Sequence, residues 1–325
     1  MLWRTLLGLG LSLNLLVSSG CKNMEVQIMG HTLGKKKGST QTVRRTEYPS
    51  IKDTVPIERM EYPDLEETVL LDEYKGDLTM KQYLSVIEIS IKKRDYKSAE
   101  EDINHVLDSK IASAEEQLAA RYFLGKINFI QGTSKRGYNG FFKNAEEQFI
   151  RVAGSKEATK EQQLHSYKFL GEIYLLKSVH MQNYGKREER ERSISNAEEM
   201  FRQGLKLKVN DISLNYQLGQ ILMIKGSGNR FKPMKKYMLE ESVKYFKTAI
   251  AFNTGSEKPE HYFSLGVALM QLQRNYESKI NLEKAKKAYE ELPDLKKPRY
   301  DRTMRQIPGL LKINKMAIEA KSKII

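Results

Sequence analysis

A single cysteine, Cys21, in 325 residues leaves no possibility of an intrachain disulfide, so covalent crosslinks play no part in holding this chain together. No stretch alternates apolar and polar residues with period two over a useful length, which argues against a sheet. The signatures of nucleophilic, phosphate and zinc chemistry are missing too: there is no G-x-S-x-G elbow, no phosphate loop and no H-E-x-x-H helix. His31, His105, His165, His180 and His261 are scattered without metal-ligand spacing. The acid pairs Glu100-Glu101, Glu146-Glu147 and Glu198-Glu199 read as first turns of helices, where negative charge suits the helix dipole, and not as a glycosidase dyad. No catalytic residues, metal or cofactor are expected, and the chain is not read as an enzyme.

What the chain does have is repetition. Leu-Gly recurs at Leu124-Gly125, Leu170-Gly171, Leu218-Gly219 and Leu265-Gly266, in steps of 46, 48 and 47 residues. A residue without a side chain at the same place in each unit implies close helix contact, and a fixed period implies stacked copies of one element. Asp64 with Glu67, Ser113 with Glu116, Asn144 with Glu147 and Ser195 with Glu198 have capping-box spacing and are read as helix starts. Pro293 and Pro298 interrupt the pattern, and near Pro308 a last helix begins. Its Ile307, Leu310, Leu311, Ile313, Ala317 and Ala320 are expected to cover the final repeat. Residues 63–292 are therefore expected to form an all-α solenoid, with capping helices over 293–325.

Tyr167, Leu170, Gly171 and Tyr174 resemble the first helix of a tetratricopeptide repeat, and Tyr262, Leu265, Gly266 and Leu269 keep the same frame. The second-helix pattern of a small residue, an aromatic four later and a small residue three beyond resembles Ala145, Phe149 and Val152, then Ala197, Phe201 and Gly204, then Ser242, Phe246 and Ala249. The resemblance covers about five units and implies helix hairpins. The family unit is shorter, and the three middle units here add roughly 8, 14 and 11 residues between their two helices. These are expected as extended intra-hairpin loops along one edge.

The resemblance also implies a partner-binding groove on the first helices. Carried over by position, it holds Tyr122, Lys126, Lys168, Glu172, Tyr216, Gln220, Phe263 and Val267, with Phe129 and Met223 one turn further on. Such a mixed lining suits a protein or peptide segment.

Residues 1–20 have a cation at Arg4, an apolar run from Leu6 to Val17 and small residues before Cys21, the layout of a secretory signal. Val17-Ser18-Ser19-Gly20-Cys21 resembles the lipobox of bacterial lipoproteins, although the usual Leu-like position is Ser18. The resemblance implies acylation of Cys21 and, with Lys22 following, an outer-membrane anchor facing the periplasm. Residues 21–62 read as a flexible basic tether.

The net charge is +14, and it gathers at the expected loops. Lys135, Arg136 and Lys143 have no acid among them, Lys186 and Arg187 belong to a second cluster, and Lys225, Arg230, Lys232, Lys235 and Lys236 form a third. Aromatics among cations can bind nucleic acid, but a secretory signal removes the chain from the cytosol and excludes that reading. Two functions follow: an envelope scaffold holding a protein segment during assembly or secretion, or a surface tether whose basic edge meets anionic lipid or peptidoglycan.

Overall fold

The computed structural model describes residues 78–134, 139–229, 231–255 and 258–322, and within them the chain is all-α. The signal, the tether and the Asp64/Glu67 pair lie outside the described residues. Helices pair as antiparallel hairpins: α1 (Met80–Lys93) with α2 (Tyr96–Asp108), α3 (Ala114–Ser134) with α4 (Gly140–Gly154), α5 (Lys160–Asn183) with α6 (Arg187–Leu207), α7 (Ile212–Gly228) with α8 (Lys232–Ala251), and α9 (Pro259–Gln271) with α10 (Asn275–Glu290). A 3-10 turn (Asp294–Arg299), the short α11 (Asp301–Met304) and α12 (Ile307–Ser322) follow. Among the described residues no helix is long and apolar enough to cross a membrane.

Short polar side chains set the helix starts by accepting from otherwise unsatisfied amides. Thr79 with Gln82 and Thr159 with Gln162 form complete capping boxes, and Ser113 with Glu116 makes the same reciprocal pair. Asp95 and Asp211 cap α2 and α7. Asn144 and Ser195 start no helix. Each lies inside a helix that begins earlier, at Gly140 and Arg187. Glu146, Glu147, Glu198 and Glu199 therefore lie beyond the first turns expected for them.

That shift has one cause, which also corrects the expected loops. The added residues lengthen the helices: α5 runs for 24 residues and α6 for 21, and only Tyr184, Gly185 and Lys186 join them. The first hairpin contact is between the Leu-Gly glycine and the second helix. A Cβ on Gly125 would stand 2.9 Å from the Phe149 ring, one on Gly219 2.7 Å from Phe246, and one on Gly171 would overlap Phe201. Seven residues on, the contact repeats, with Gly132 against Phe142 and Gly226 against Leu239; in the third hairpin the equivalent Ser178 and Ile194 are buried. Seven residues is close to two helical turns, so the described parts of the inserted segments extend the same apolar seam and bury it as helix.

Five clusters of buried side chains follow one another along the stack, and each is shared between neighbours. Ile87 and Ile103 of the first hairpin meet Ile127, Phe149 of the second meets Leu170, Phe201 of the third meets Leu218, and Phe246 of the fourth meets Leu265. At the end, Leu282 and Ala285 of α10 are covered by Met304 and Ile307. Leu310 and Leu311 pack there as expected, whereas Ala320 is exposed. Asn314 is fully buried, and its amide donates to Ser278 Oγ at 2.9 Å while Ser278 donates to the carbonyl of Gly266 at 2.7 Å. Capping is thus partly polar.

Candidate interaction surface along the first helices

Two residues before each Leu-Gly pair stand Tyr122 on α3, Lys168 on α5, Tyr216 on α7 and Phe263 on α9. All four reach along the stack to the next unit. Tyr122 Oη lies 3.3 Å from His165 Nδ1, Lys168 Nζ pairs with Asp211 Oδ2 at 2.7 Å, and Tyr216 Oη lies 3.2 Å from Ser264 Oγ. The Tyr216 ring also rests on His261, centroids 4.5 Å apart. Phe263 packs against the cluster that contains Met304 and Ile307. One turn later, Gln220 donates to Tyr216 Oη at 2.8 Å. These residues form a seam between repeats.

The residues expected to line a groove divide into covered and open positions. Phe129, Glu172, Tyr216, Gln220, Met223 and Val267 are buried: Phe129 lies edge-on to Phe142 of its own hairpin, and Tyr216, Met223 and Val267 share a cluster with Leu239, Val243 and Phe246 of α8. Tyr122, Lys126, Lys168 and Phe263 keep partial exposure. The seam opens between the third and fourth hairpins into a cleft of about 460 Å³, whose lining includes Lys160, Glu161, His165, Lys168, Lys208 and Asp211.

Burial sets the protonation of the seam. His165 is held below the ordinary histidine range by burial and then by Lys168, with Glu161 and Asp211 opposing. Tyr122 is pushed up to about 12 by burial, with Glu161 and Glu88 adding to it. Burial drives His261 down to about 3, helped by Lys258, and its Nδ1 has no hydrogen-bond partner. His165, Asp211, Ser264 and His261 were not expected as partners of the groove set. Their signal was a polar residue 43 to 48 positions after each groove residue, almost one repeat.

The basic edge also resolves into parts. Lys225 turns inward to Glu198 at 2.6 Å. Burial works to raise the Glu198 carboxyl, but hydrogen bonds from Lys225 and Arg202 prevail and hold it below the usual carboxylate range. Lys186 pairs with Glu189, Arg187 with Glu191 and Lys236 with Glu240, all exposed and on one helix or its cap, and such pairs contribute little. Lys143 and Lys232 are exposed, and Lys235 is half-buried. Lys135, Arg136, Arg230 and Cys21 lie outside the described residues. Among the described residues no group of three or more His, Cys, Asp or Glu could hold a metal ion.

Hairpins stacked through a continuous side-chain seam define an all-α helical-repeat protein. No family model matches the chain, and no curated protein matches it. Several solved structures are similar in part, two of them as follows. A thermophilic TPR protein, TTC0263, from Thermus thermophilus has 15% identity and a TM-score of 0.42, over 74% of this chain and 99% of that one. A monomeric mutant of IFIT1 with Gppp-AAAA has 12% identity and a TM-score of 0.29, over 78% of this chain and 72% of that one. Similarity of this degree says nothing about what this chain does.

Proposed function

We propose that the chain is a protein-binding scaffold of the cell envelope, tethered through an acylated Cys21 to the outer membrane and facing the periplasm. The observation that carries the scaffold reading is the interlocked seam: Tyr122–His165, Lys168–Asp211 and Tyr216–Ser264 each join one unit to the next. A surface fixed in this way presents a partner with preorganised contacts, so little conformational entropy is lost on binding. The surface offered is narrower than the expected groove. It comprises Lys126 and the cleft between the third and fourth hairpins, where Lys160, Lys208 and the Lys168–Asp211 pair surround an open concavity suited to a polar peptide segment.

Photo-crosslinkers at Lys126 and Lys208 should give one discrete protein adduct in intact cells, while crosslinkers at Ile150 and Tyr276, exposed on second helices, should not. Adducts from neither pair, or equally from both, would end the scaffold reading. The anchor has a separate test. Metabolic labelling with a fatty acid should mark the chain and fail in Cys21→Ser, and an unlabelled wild-type chain would remove the envelope placement while leaving the scaffold.

A further inference from the structure

We propose that the tips of the third, fourth and fifth hairpins form an edge that docks on a bilayer with anionic headgroups. The observation is the placement of exposed aromatics. Among the described residues five aromatic side chains are exposed, and four stand at these tips: Tyr184 at 69%, Phe231 at 66%, Tyr237 at 60% and Tyr276 at 68%. The fifth, Phe252 at 48%, lies at the other end of α8. Because the hairpins stack side by side, their tips share one edge of the array.

The start of α8 carries the argument furthest. Phe231, Met234 and Tyr237 are exposed at successive steps of three, one apolar stripe left uncovered while Leu239 is buried. Lys232, Lys235 and Lys236 interleave with them, and the first turn of α8 contains no acid. An exposed apolar stripe costs free energy in water unless something covers it. Its place at a hairpin tip favours a yielding planar partner, since a tip can sink into a headgroup layer but fills a protein surface only where a matching hollow exists. Tyrosine and phenylalanine suit the headgroup boundary, and interleaved lysines meet anionic headgroups there. The inference is independent of the scaffold reading and of Cys21.

The test uses the full chain with Trp3→Phe, so that a single tryptophan can report from one site. Phe231→Trp and Tyr276→Trp should each shift to the blue and be quenched by brominated lipid on vesicles of phosphatidylcholine with phosphatidylglycerol. Phe252→Trp should not respond, and pure phosphatidylcholine should give a much weaker response. Lys232→Glu with Lys236→Glu should weaken the tip response about tenfold or more without lowering the melting temperature. The proposal is overturned if the tip reporters do not respond, if Phe252→Trp responds equally, or if soluble polyglutamate produces the same shift. Because the reporters sit at the tips, vesicle binding through the amino-terminal segment cannot imitate the expected result.

Discussion

Gly171 and Phe201 show how one residue can be required by its lack of a side chain. A methyl group at Gly171 would overlap the Phe201 ring, whereas at Gly140 it would meet nothing within 4 Å. Gly171→Ala should therefore lose about 1–3 kcal/mol through overpacking, while Gly140→Ala should leave urea unfolding unchanged or stabilise by at most about 1 kcal/mol. His261 gives a pH prediction. Its folded value of about 3 lies below the ordinary 6.5, so the unfolded chain binds a proton that the folded chain refuses. Stability contributed by the neutral ring is present above pH 6.5, falls as pH drops below it, and is fully lost near the folded value. The slope is at most about 1.4 kcal/mol per pH unit. His261→Gln should flatten the decline of melting temperature between pH 6.5 and 4, and an unchanged profile would refute the assignment. The Leu-Gly glycines were legible from their period. The burial of His261 was not, because its ring is covered by Tyr216, 45 residues away in sequence.

At the scale of elements, the same seven-residue step explains why the middle hairpins are long. Gly132 against Phe142 and Gly226 against Leu239 repeat the Leu-Gly contacts two turns on. The signal is present in the sequence as a small residue seven after the first three Leu-Gly glycines, at Gly132, Ser178 and Gly226, while Gln273 stands there after Gly266. Capping-box spacing at Asn144 and Ser195 masks it, since that spacing is equally compatible with a helix interior. The C-terminal helix tests element coupling. Removing Ile307–Ser322 uncovers Leu282 and Ala285 and takes Asn314 from Ser278. Hydrogen exchange should then speed up in α9 and α10 and stay nearly unchanged in α3 and α4. Uniform acceleration through all helices would show that the stack unfolds as one unit.

For the whole molecule, each buried cluster joins only neighbours, so stability is close to a sum of hairpin and interface terms. The Lys168–Asp211 pair ties the third hairpin to the fourth, with side chains 22% and 8% exposed. Lys168→Met should weaken that junction while Asp211 still caps α7. The expected result is a broader urea transition with a lower slope and unchanged helix content. A sharp transition of the original slope would place the coupling elsewhere. Charge followed a similar division: the clusters of basic residues were visible in sequence, but Lys225 turned inward to Glu198, while at the start of α8 the exposed Lys232 and Lys236 stand beside the exposed Phe231 and Tyr237.

Local spacing determined that this chain is helical, that it repeats, and which glycines meet a facing helix, because helix periodicity places such residues within a few turns of one another. Tertiary structure decided which first-helix residues stay open to a partner. Whether Tyr216 or Lys126 faces solvent depends on how closely the next hairpin, almost fifty residues further on, packs beside it, and a period of side chains carries no record of that distance.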